Sequence, residues 1–331
     1  MGQQPPAIKP CVSATPRPLF SVMIPTYERT EHLAETLRSV LAQDLGPAVM
    51  QIAVLDNNSQ NADVAGMVRE IGGGRIEFHR HAQNLGMVGN LNACIEAARG
   101  EWVHILHDDD FVATGFYQAL RAGMEASPDA GVLCCRCRYL DSAGRIMGVS
   151  PPEARARGLV DDGLWRMARG NFLQFCSVVV RRSAYEQVGG FDPTLRYVID
   201  AEMWVRLAAR FRVRFEPEAL ATYRVHALSA THKLIMSSED CTDIARGLVL
   251  MGERLPAESA ARVMRAARAY AADLVLQHTR VMSDIDPRGV PARLRWAVRF
   301  DPGVRTWWRC GRLTWRMLRR GLLNQRKGPR A

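Results

Sequence analysis

Short apolar runs and longer stretches of helical periodicity follow one another through the first half of the chain. Four runs have the length and β-branched content of buried strands, and three stretches between them repeat apolar residues at helical spacing. The predicted strands are residues 20–24, 51–55, 75–80 and 102–107, and the predicted helices are residues 30–42, 62–71 and 87–98. Because strands that alternate with helices build βαβ units, we expect an α/β fold with a mainly parallel sheet.

The second half of the chain is less regular and becomes helical towards its end. The predicted elements are a strand at 173–181, a helix at 200–210, a pair of strands at 212–223 and a long helix at 257–282. The strand pair is centred on Glu216 and Pro217, and Pro287 and Pro291 interrupt the helical pattern after the long helix.

These patterns divide the chain of 331 residues into three parts. Residues 1–18 are polar and rich in proline, and we expect a disordered lead-in there. Residues 19–232 carry the alternating elements and predict one α/β domain, with a boundary between its halves at residue 137. Residues 233–331 predict a helical extension, and no apolar stretch has transmembrane length.

Polar residues gather at the ends of the predicted strands. The clusters are residues 26–29 after the first strand, 56–59 after the second, 84–89 before the third helix and 108–110 after the fourth strand. Asn57 and Asn58 are turn-forming residues by type. Because ligands of open parallel sheets bind at the carboxyl ends of the strands, the four clusters predict one binding site.

Asp108, Asp109 and Asp110 form a run of three carboxylates where the fourth strand ends. Adjacent carboxylates raise one another's pKa unless a cation neutralises them. Oxygen ligands suit Mg²⁺ or Mn²⁺, and these ions commonly share their site with substrate phosphates. The run therefore predicts a divalent metal site, with a solvated acidic loop as the alternative.

The net charge indicates the class of binding partner, and the cysteines indicate the cellular compartment. The net charge of +10 favours an anionic partner, such as a nucleotide, a nucleic acid or a membrane surface. Cys134, Cys135 and Cys137 lie in an apolar run, and no second ligand pair follows at zinc spacing, so we interpret them as part of a buried strand. Free cysteines and a start without a signal-peptide pattern predict a cytoplasmic protein.

Seven short motifs stand in an order that resembles the family 2 glycosyltransferases, the inverting group with the GT-A fold. They are Pro25-Thr26-Tyr27-x-Arg29, Asp56-Asn57-x-Ser59, Asn84-x-Gly86-x-x-Gly89-Asn90, the acid run 108–110, Gly189-Gly190-Phe191-Asp192, Asp200-Ala-Glu202-Met-Trp204 and Tyr223-Arg224-Val-His226-x-x-Ser229. Each motif alone is weakly specific, but seven in register across residues 19–232 are a strong signal.

The resemblance implies a GT-A, Rossmann-like sheet that moves a hexosyl group from a UDP-, dTDP- or GDP-linked sugar to an acceptor hydroxyl. The acceptor would be a glycan, a lipid-linked sugar or a small molecule, in glycoconjugate synthesis. Residues 19–137 would bind the donor and residues 138–232 the acceptor. The implied donor-binding residues are Pro25, Thr26, Tyr27, Glu28, Asp56, Asn84, Gly86, Asn90, Asp108 and Asp109.

The acid run departs from the family's DxD pattern. His107 stands where the family commonly has the first Asp, and Asp109 aligns with the metal-binding Asp. This departure leaves open which of the three acids holds Mn²⁺ or Mg²⁺; we favour Asp109, then Asp110, with Asp108 nearer the ribose. The resemblance implies His226 as a contact of the diphosphate or as a third metal ligand.

Asp200 is the candidate general base. An inverting transfer needs a carboxylate that accepts the proton of the attacking hydroxyl. The family's Glu-Asp pair stands here as Ile199-Asp200, and Asp200 aligns with its basic member. If Asp200 opens a helix, it is also placed to be the N-cap, and the two roles are compatible. We interpret Trp204 as a core residue.

Residues 290–331 interleave tryptophan with arginine and lie outside the family resemblance. A helix of this type lies in a membrane interface, packs on its own domain or forms a dimer contact. No recognisable nucleic-acid module accompanies it.

The sequence leaves two other functions open. A nucleotidyltransferase also combines an α/β sheet with an acidic metal site, but it usually opens with a Gly-rich loop, unlike residues 25–28. The second alternative is a non-catalytic, membrane-associated module that has the fold but no activity. The acid run 108–110 and Asp200 argue against this alternative.

Overall fold

The computed structural model describes residues 4–11, 16–152, 154, 156–170, 173–226 and 230–325. The described residues form two compact units. The first unit contains the described residues up to Met167 and those from 173 to His226. The second unit contains residues 168–170 and the described residues after His226.

The first unit is an α/β structure whose elements follow the predicted order. Its strands are β1 Phe20–Thr26, β2 Met50–Asp56, β3 Glu77–Arg80, β4 Trp102–Ile105, β5 Phe111–Val112, β6 Ala130–Leu140, β7 Ile146–Val149, β8 Gly158–Leu159, β9 Val178–Arg181 and β10 Arg212–Arg224. Its helices are α1 Leu33–Leu41, α2 Val64–Gly72, α3 Gly86–Ala97, α4 Phe116–Ala126, α5 Gly163–Ala168, α6 Arg182–Val188 and α7 Ile199–Ala208, of which only the last residue of α5 is assigned to the second unit.

The ten strands form one sheet in the order β3-β2-β1-β4-β9-β6-β10-β5, with β7 paired to β6 and β8 paired to β10. The strands β3, β2, β1 and β4 run parallel, and so do β6 and β10. Between these two groups, β9 runs antiparallel to both of its neighbours. The prediction of a mixed α/β fold with a mainly parallel central sheet is therefore confirmed.

The central strands are buried on both faces because helices cover the sheet. Every residue of β2 is buried, and so is every residue of β1 except Pro25. The amphipathic α1 turns Leu33, Leu37 and Val40 into the same core. Continuous apolar runs of this kind are typical of parallel strands between two layers of helix.

The strand pair predicted at 212–223 is instead one long strand, β10. Its register against β6 shifts between Glu216 and Ala219. Pro217 has no N–H to donate, so a β-bulge at this point lets the strand pass the proline without turning back. Residues 173–181 also differ from their prediction, because a 3₁₀ turn at Phe175–Ser177 precedes β9.

The described part of the lead-in is ordered by contacts with α6 and the turn after it. The Pro6 carbonyl accepts from the Gly190 N–H at 2.8 Å, and the Lys9 carbonyl accepts from Arg182 at 3.1 Å. Ile8 is buried. The expectation of disorder is wrong for residues 4–11, because one apolar side chain and several backbone hydrogen bonds fix this segment. Residues 1–3 and 12–15 lie outside the described residues.

The second unit is helical. Its helices are α8 Ala230–Ser237, α9 Glu239–Arg254, α10 Ala257–Met282, α11 Val290–Phe300 and α12 Val304–Gln325. α10 has the predicted bounds, and Pro291 lies in the first turn of α11, where its missing N–H costs nothing. Asp240 is buried against Arg293, with contacts of 2.5 and 2.7 Å. No helix among the described residues is long and apolar enough to cross a bilayer.

Candidate active site

The loops after β1 and β4 meet because these two strands are parallel neighbours in the sheet. Thr26 Oγ1 donates a hydrogen bond of 2.6 Å to Asp108 Oδ2. Arg29 Nη1 donates to Asp109 Oδ2 at 2.7 Å, and His226 Nε2 lies 3.0 Å from the same oxygen. Residues far apart in the chain, from 26 to 226, therefore share one cluster, as the positions of the motifs predict.

The three adjacent carboxylates have different environments. Burial raises the pKa of Asp108 to about 6. Burial also opposes ionisation of Asp109, but His107, Arg29 and His226 outweigh it and lower the pKa of that carboxyl. Asp110 is fully buried next to the charge of Asp109, and both effects raise its pKa well above the usual range. Asp109 is therefore the most readily ionised of the three.

Asp110 has one oxygen engaged and one available. Its Oδ1 accepts the Arg224 N–H at 3.0 Å. Its Oδ2 is buried and has no hydrogen-bond partner of ordinary length among the described residues. A buried carboxylate oxygen without a partner is costly unless a cation or a ligand atom satisfies it.

Three side chains could hold a metal ion together: His107, Asp109 and Asp110. Each offers one ligand atom, and these atoms lie within 4.8 Å of one another. Asp110 contributes a carboxylate oxygen to this group and also has a buried oxygen without a partner in the described part of the chain, so the residues present fit a small cation. One imidazole with two carboxylates suits Mn²⁺ better than Mg²⁺, which prefers oxygen alone. The structure thus brings His107, noted in the sequence only as a departure from the family pattern, into the candidate metal site.

Asp56 is fully buried at the end of β2, and the protein uses both of its carboxylate oxygens. Oδ1 accepts from the Ser59 hydroxyl at 2.5 Å and from the Ser59 N–H at 3.1 Å. Oδ2 accepts from Arg80 Nε at 2.5 Å. Asp56 therefore shapes the loop after β2, and its expected donor contact stays a prediction. Arg80, which no sequence motif singled out, holds the other side of this carboxylate.

The loops after β2 and before α3 are joined by Asn57. Its Nδ2 donates to Asn84 Oδ1 at 2.9 Å, and its Oδ1 accepts the Leu85 N–H at 2.8 Å. The interpretation of Asn57 as a turn residue misses this buried connection. Asn58, with φ +67°, does have the left-handed backbone of a turn. Gly86, with φ +73°, needs the same region at the start of α3.

Glu28 and Asn90, two expected donor contacts, are engaged within the protein. Glu28 accepts the backbone N–H groups of residues 60, 61 and 62 at 2.6 to 3.1 Å, and these bonds lower the pKa of its carboxyl. Asn90 is buried, donates to the Leu55 carbonyl at 3.0 Å and contacts His81. Tyr27, by contrast, is 46% exposed, and Pro25 is partly buried.

A sequence model described as glycosyl transferase family 2 matches residues 21–189, about half of the chain. The chain belongs to this family. An uncharacterized protein of Mycobacterium tuberculosis is 28% identical over 256 residues, covering 71% of this chain and 76% of the relative. An uncharacterized glycosyltransferase of Rickettsia prowazekii is 21% identical over 234 residues, covering 70% and 72%.

Two solved structures share the fold of this family 2 glycosyltransferase. S. aureus TarS 1–349 superposes with a TM-score of 0.62 at 16% identity, over 86% of this chain and 81% of that one. A mannosyltransferase from Pyrobaculum calidifontis, in complex with GDP-Man and Mn²⁺, gives a TM-score of 0.53 at 18% identity, over 88% and 89%. At these identities the likeness shows the fold alone.

In this glycosyltransferase, Asp200 lies at the second position of α7. Val198 is the N-cap of this helix, so Asp200 is not. The Oδ1 atom of Asp200 accepts the Ala201 N–H at 2.7 Å. Trp204 is buried one turn later, as predicted for a core residue, with its ring 5.6 Å from Phe175. Phe175 in turn lies 4.7 Å from the His107 ring, so aromatic packing connects this helix to the candidate metal site.

Two further motif residues have clear positions. Glu202 is buried and pairs with Arg206 at 2.8 Å, which in turn donates to the carbonyls of residues 188–190. This pair holds α7 to the preceding turn. Ser229, the last residue of the last motif, lies outside the described residues.

Proposed function

We propose that this family 2 glycosyltransferase transfers a sugar, with inversion, from a nucleoside diphosphate sugar to an acceptor hydroxyl. The observation that carries the proposal is the convergence of His107, Asp109 and Asp110, with a buried oxygen of Asp110 left open. In the proposed division of labour, residues 19–137 bind the donor and residues 138–232 bind the acceptor.

His107, Asp109 and Asp110 are proposed to hold a divalent ion, with Mn²⁺ favoured over Mg²⁺ by the imidazole. When bound, such an ion would neutralise the diphosphate as it leaves the sugar. Arg29 adds positive charge beside the Asp109 carboxylate, while Arg224 donates to the Asp109 backbone carbonyl at 3.2 Å and pairs with Glu35. Thr26 fixes Asp108 by a hydrogen bond, and Asp108 is proposed to face the ribose.

The donor is proposed to be a UDP-, dTDP- or GDP-linked sugar. Solved neighbours of the same fold support this class, since TarS 1–349 is known in complex with UDP-GlcNAc and the mannosyltransferase with GDP-Man. Tyr27, exposed at the end of β1, offers a ring on which a base can stack. Asn57 and Gly86 shape the loop beside it.

Asp200 is proposed to be the general base. Inversion requires the acceptor hydroxyl to attack from the face opposite the leaving diphosphate, while a carboxylate accepts its proton. The position of Asp200 in the first turn of α7, connected through Trp204 and Phe175 to His107, supports this role.

Incubation with UDP-, dTDP- and GDP-sugars plus Mn²⁺ tests the proposal. Release of nucleoside diphosphate, and a β-linked product from an α-linked donor by proton NMR, are the expected results. Release of pyrophosphate would indicate a nucleotidyltransferase instead. If no donor is consumed and none raises the melting temperature, the chain is a non-catalytic module that keeps the fold.

A cytoplasmic location is part of the proposal. All eight cysteines are free thiols, and seven of them are fully or largely buried as small apolar side chains. Unpaired cysteines are typical of a reducing compartment.

A further inference from the structure

The helix α12 has three distinct faces. One face is buried within the helical unit and consists of Thr306, Cys310 and Leu313. Because residues three and four positions apart share a side of a helix, this buried stripe fixes which side chains point outward. Packing, one of the three alternatives for the C-terminal region, is therefore present, but it uses only one side of the helix.

The second face of α12 is apolar and open. Val304, Trp307, Trp315 and Leu318 are 87, 59, 62 and 63% exposed and recur at helical spacing. Together with Leu294, Val298 and other residues of α11, three of them line a cavity of about 580 Å³. Two exposed tryptophans and an exposed leucine on one stripe form a contiguous apolar surface, which usually marks an interaction site.

The third face of α12 is cationic and lies beside the tryptophans. Arg312 stacks over the Trp308 ring at 4.6 Å, and Arg319 over the Trp315 ring at 5.3 Å. Residues 302–331 contain nine Lys and Arg residues and no Asp or Glu, in a chain whose net charge is +10. The net positive charge of the protein is thus concentrated in its last thirty residues.

We propose that the outward side of α12 binds the surface of an anionic lipid bilayer. Trp307, Trp315 and Leu318 would enter the boundary between headgroups and acyl chains, and Arg312, Arg316 and Arg319 would contact lipid phosphates. Tryptophan suits this boundary because its ring is apolar and its N–H is polar. The cavity between α11 and α12 has the size and lining for part of one acyl chain.

The charge distribution favours a lipid surface over a second copy of the chain. A twofold contact through this stripe would bring the same arginines of both copies together without an acidic partner. Two arginines of α12, Arg305 and Arg309, already pair with Asp273 of α10, and they help to hold the helix rather than face a partner.

Vesicle flotation with the full chain tests the proposal. The probes are vesicles of equal parts phosphatidylglycerol and phosphatidylcholine, and vesicles of phosphatidylcholine alone. We expect binding to the anionic vesicles, with a blue shift of tryptophan emission, and little binding to the neutral ones. The double variant Trp307→Ala/Trp315→Ala and the double variant Arg312→Gln/Arg316→Gln should each bind at least about tenfold more weakly.

Matched control variants remove similar groups elsewhere in the same unit. Val249→Ala/Val281→Ala removes exposed apolar side chains from α9 and α10, and Arg265→Gln/Arg268→Gln removes two exposed charges from α10. Both controls should bind within about twofold of the unchanged chain, since they lie off the proposed surface. Melting temperatures of all variants should agree, because every changed side chain is exposed or partly exposed.

Several results would overturn the proposal. Failure of the full chain to bind anionic vesicles at low salt would do so, and so would control variants that lose as much affinity as the α12 variants. Binding that ignores the tryptophan substitutions would mean electrostatic adsorption without insertion. A dimer in sedimentation that Trp307→Ala/Trp315→Ala dissociates would assign the stripe to contact between copies. None of these measurements depends on glycosyl transfer, so the proposed reaction stands or falls separately.

Discussion

Three neighbouring aspartates in one run take on different chemical characters because their surroundings differ. Asp108 is tied to Thr26, Asp109 to Arg29 and His226, and Asp110 keeps one buried oxygen open. The alternative of a solvated acidic loop is excluded for this run, because Asp108 and Asp110 are both buried. A side chain's role here follows from its contacts rather than from its residue type.

Asp110→Asn should weaken Mn²⁺ binding by at least about 100-fold, measured by titration calorimetry in the presence of a nucleoside diphosphate. The amide replaces the open carboxylate oxygen with a neutral group, and even residues behind the ligands contribute 10- to 100-fold to metal affinity. Glu125→Gln, an exposed carboxylate on α4, is the control and should bind Mn²⁺ normally. Unchanged affinity in Asp110→Asn would remove Asp110 from the metal site.

Asp200→Asn should lower kcat by roughly 10²–10⁴-fold, the usual contribution of a general base. The dissociation constant of the nucleotide should change little, because the base contacts the acceptor. Asp200→Glu, which keeps a carboxylate, should recover part of the rate. If Asp200→Asn instead loses nucleotide affinity and turns over normally at saturation, Asp200 serves the donor side.

At the scale of elements, the sequence predicts the existence of strands and helices better than their continuity. The long helix α10 begins and ends where its apolar pattern does. The pattern around Pro217 indicates a break, yet β6 supplies a continuous partner along β10, and a bulge costs less than ending the strand. The prediction of a disordered lead-in is wrong for a similar reason. Ile8 is buried against residues that are distant in the sequence, and a local sequence pattern contains no information about them.

Asn57→Ala should destabilise the protein by about 1–3 kcal/mol, because it leaves the Leu85 N–H without its acceptor and removes one of the two donors to Asn84 Oδ1. Urea unfolding measures the effect, and nucleotide affinity should fall with it as the two loops separate. Asn58→Gly is the matched control. Its left-handed backbone suits glycine, so stability should be almost unchanged. Equal stability of Asn57→Ala and the unchanged chain would mean that the loops keep their positions independently.

At the scale of the whole molecule, the sequence predicts where the candidate site lies but not the side-chain contacts within it. Parallel strands bring their carboxyl ends together, so the clusters after β1, β2 and β4 were predicted to meet. The contact of Arg80 with Asp56 and the packing of Phe175 on His107 were not predictable. These contacts depend on side-chain directions and on the order of strands across the sheet. The spacing of apolar residues along the sequence indicates neither of them.

Folding buries His104 as a neutral ring, and this should make global stability depend on pH. Burial lowers the pKa of His104 to about 3, while its Nε2 donates to the Cys176 carbonyl and its Nδ1 accepts from Tyr117. Well above pH 6.5 the ring is neutral in both the folded and the unfolded state. As pH falls from about 6.5 towards 3, the unfolded chain takes up a proton that the folded chain refuses, so stability is lost.

Between pH 7 and pH 5 this group should cost about 2 kcal/mol of unfolding free energy. His104→Gln can keep both hydrogen bonds without titrating, so its stability should fall by that much less over the same interval. Urea unfolding at the two pH values measures the difference, with His79→Gln as the exposed control. Parallel losses in His104→Gln and the unchanged chain would contradict the assignment.

Arg29 has a consequence for the order in which ligands reach the site. Its guanidinium, half exposed, already supplies a counter-ion to Asp109 when no ligand is bound. A divalent ion that arrives alone must compete with this tethered cation, whereas an ion that arrives with a diphosphate gives the guanidinium a new anion to contact. Metal and nucleotide should therefore bind with positive coupling, each raising the affinity of the other by the same factor. Because Arg29 already compensates the charge of Asp109, the melting temperature should change little when a chelator is added.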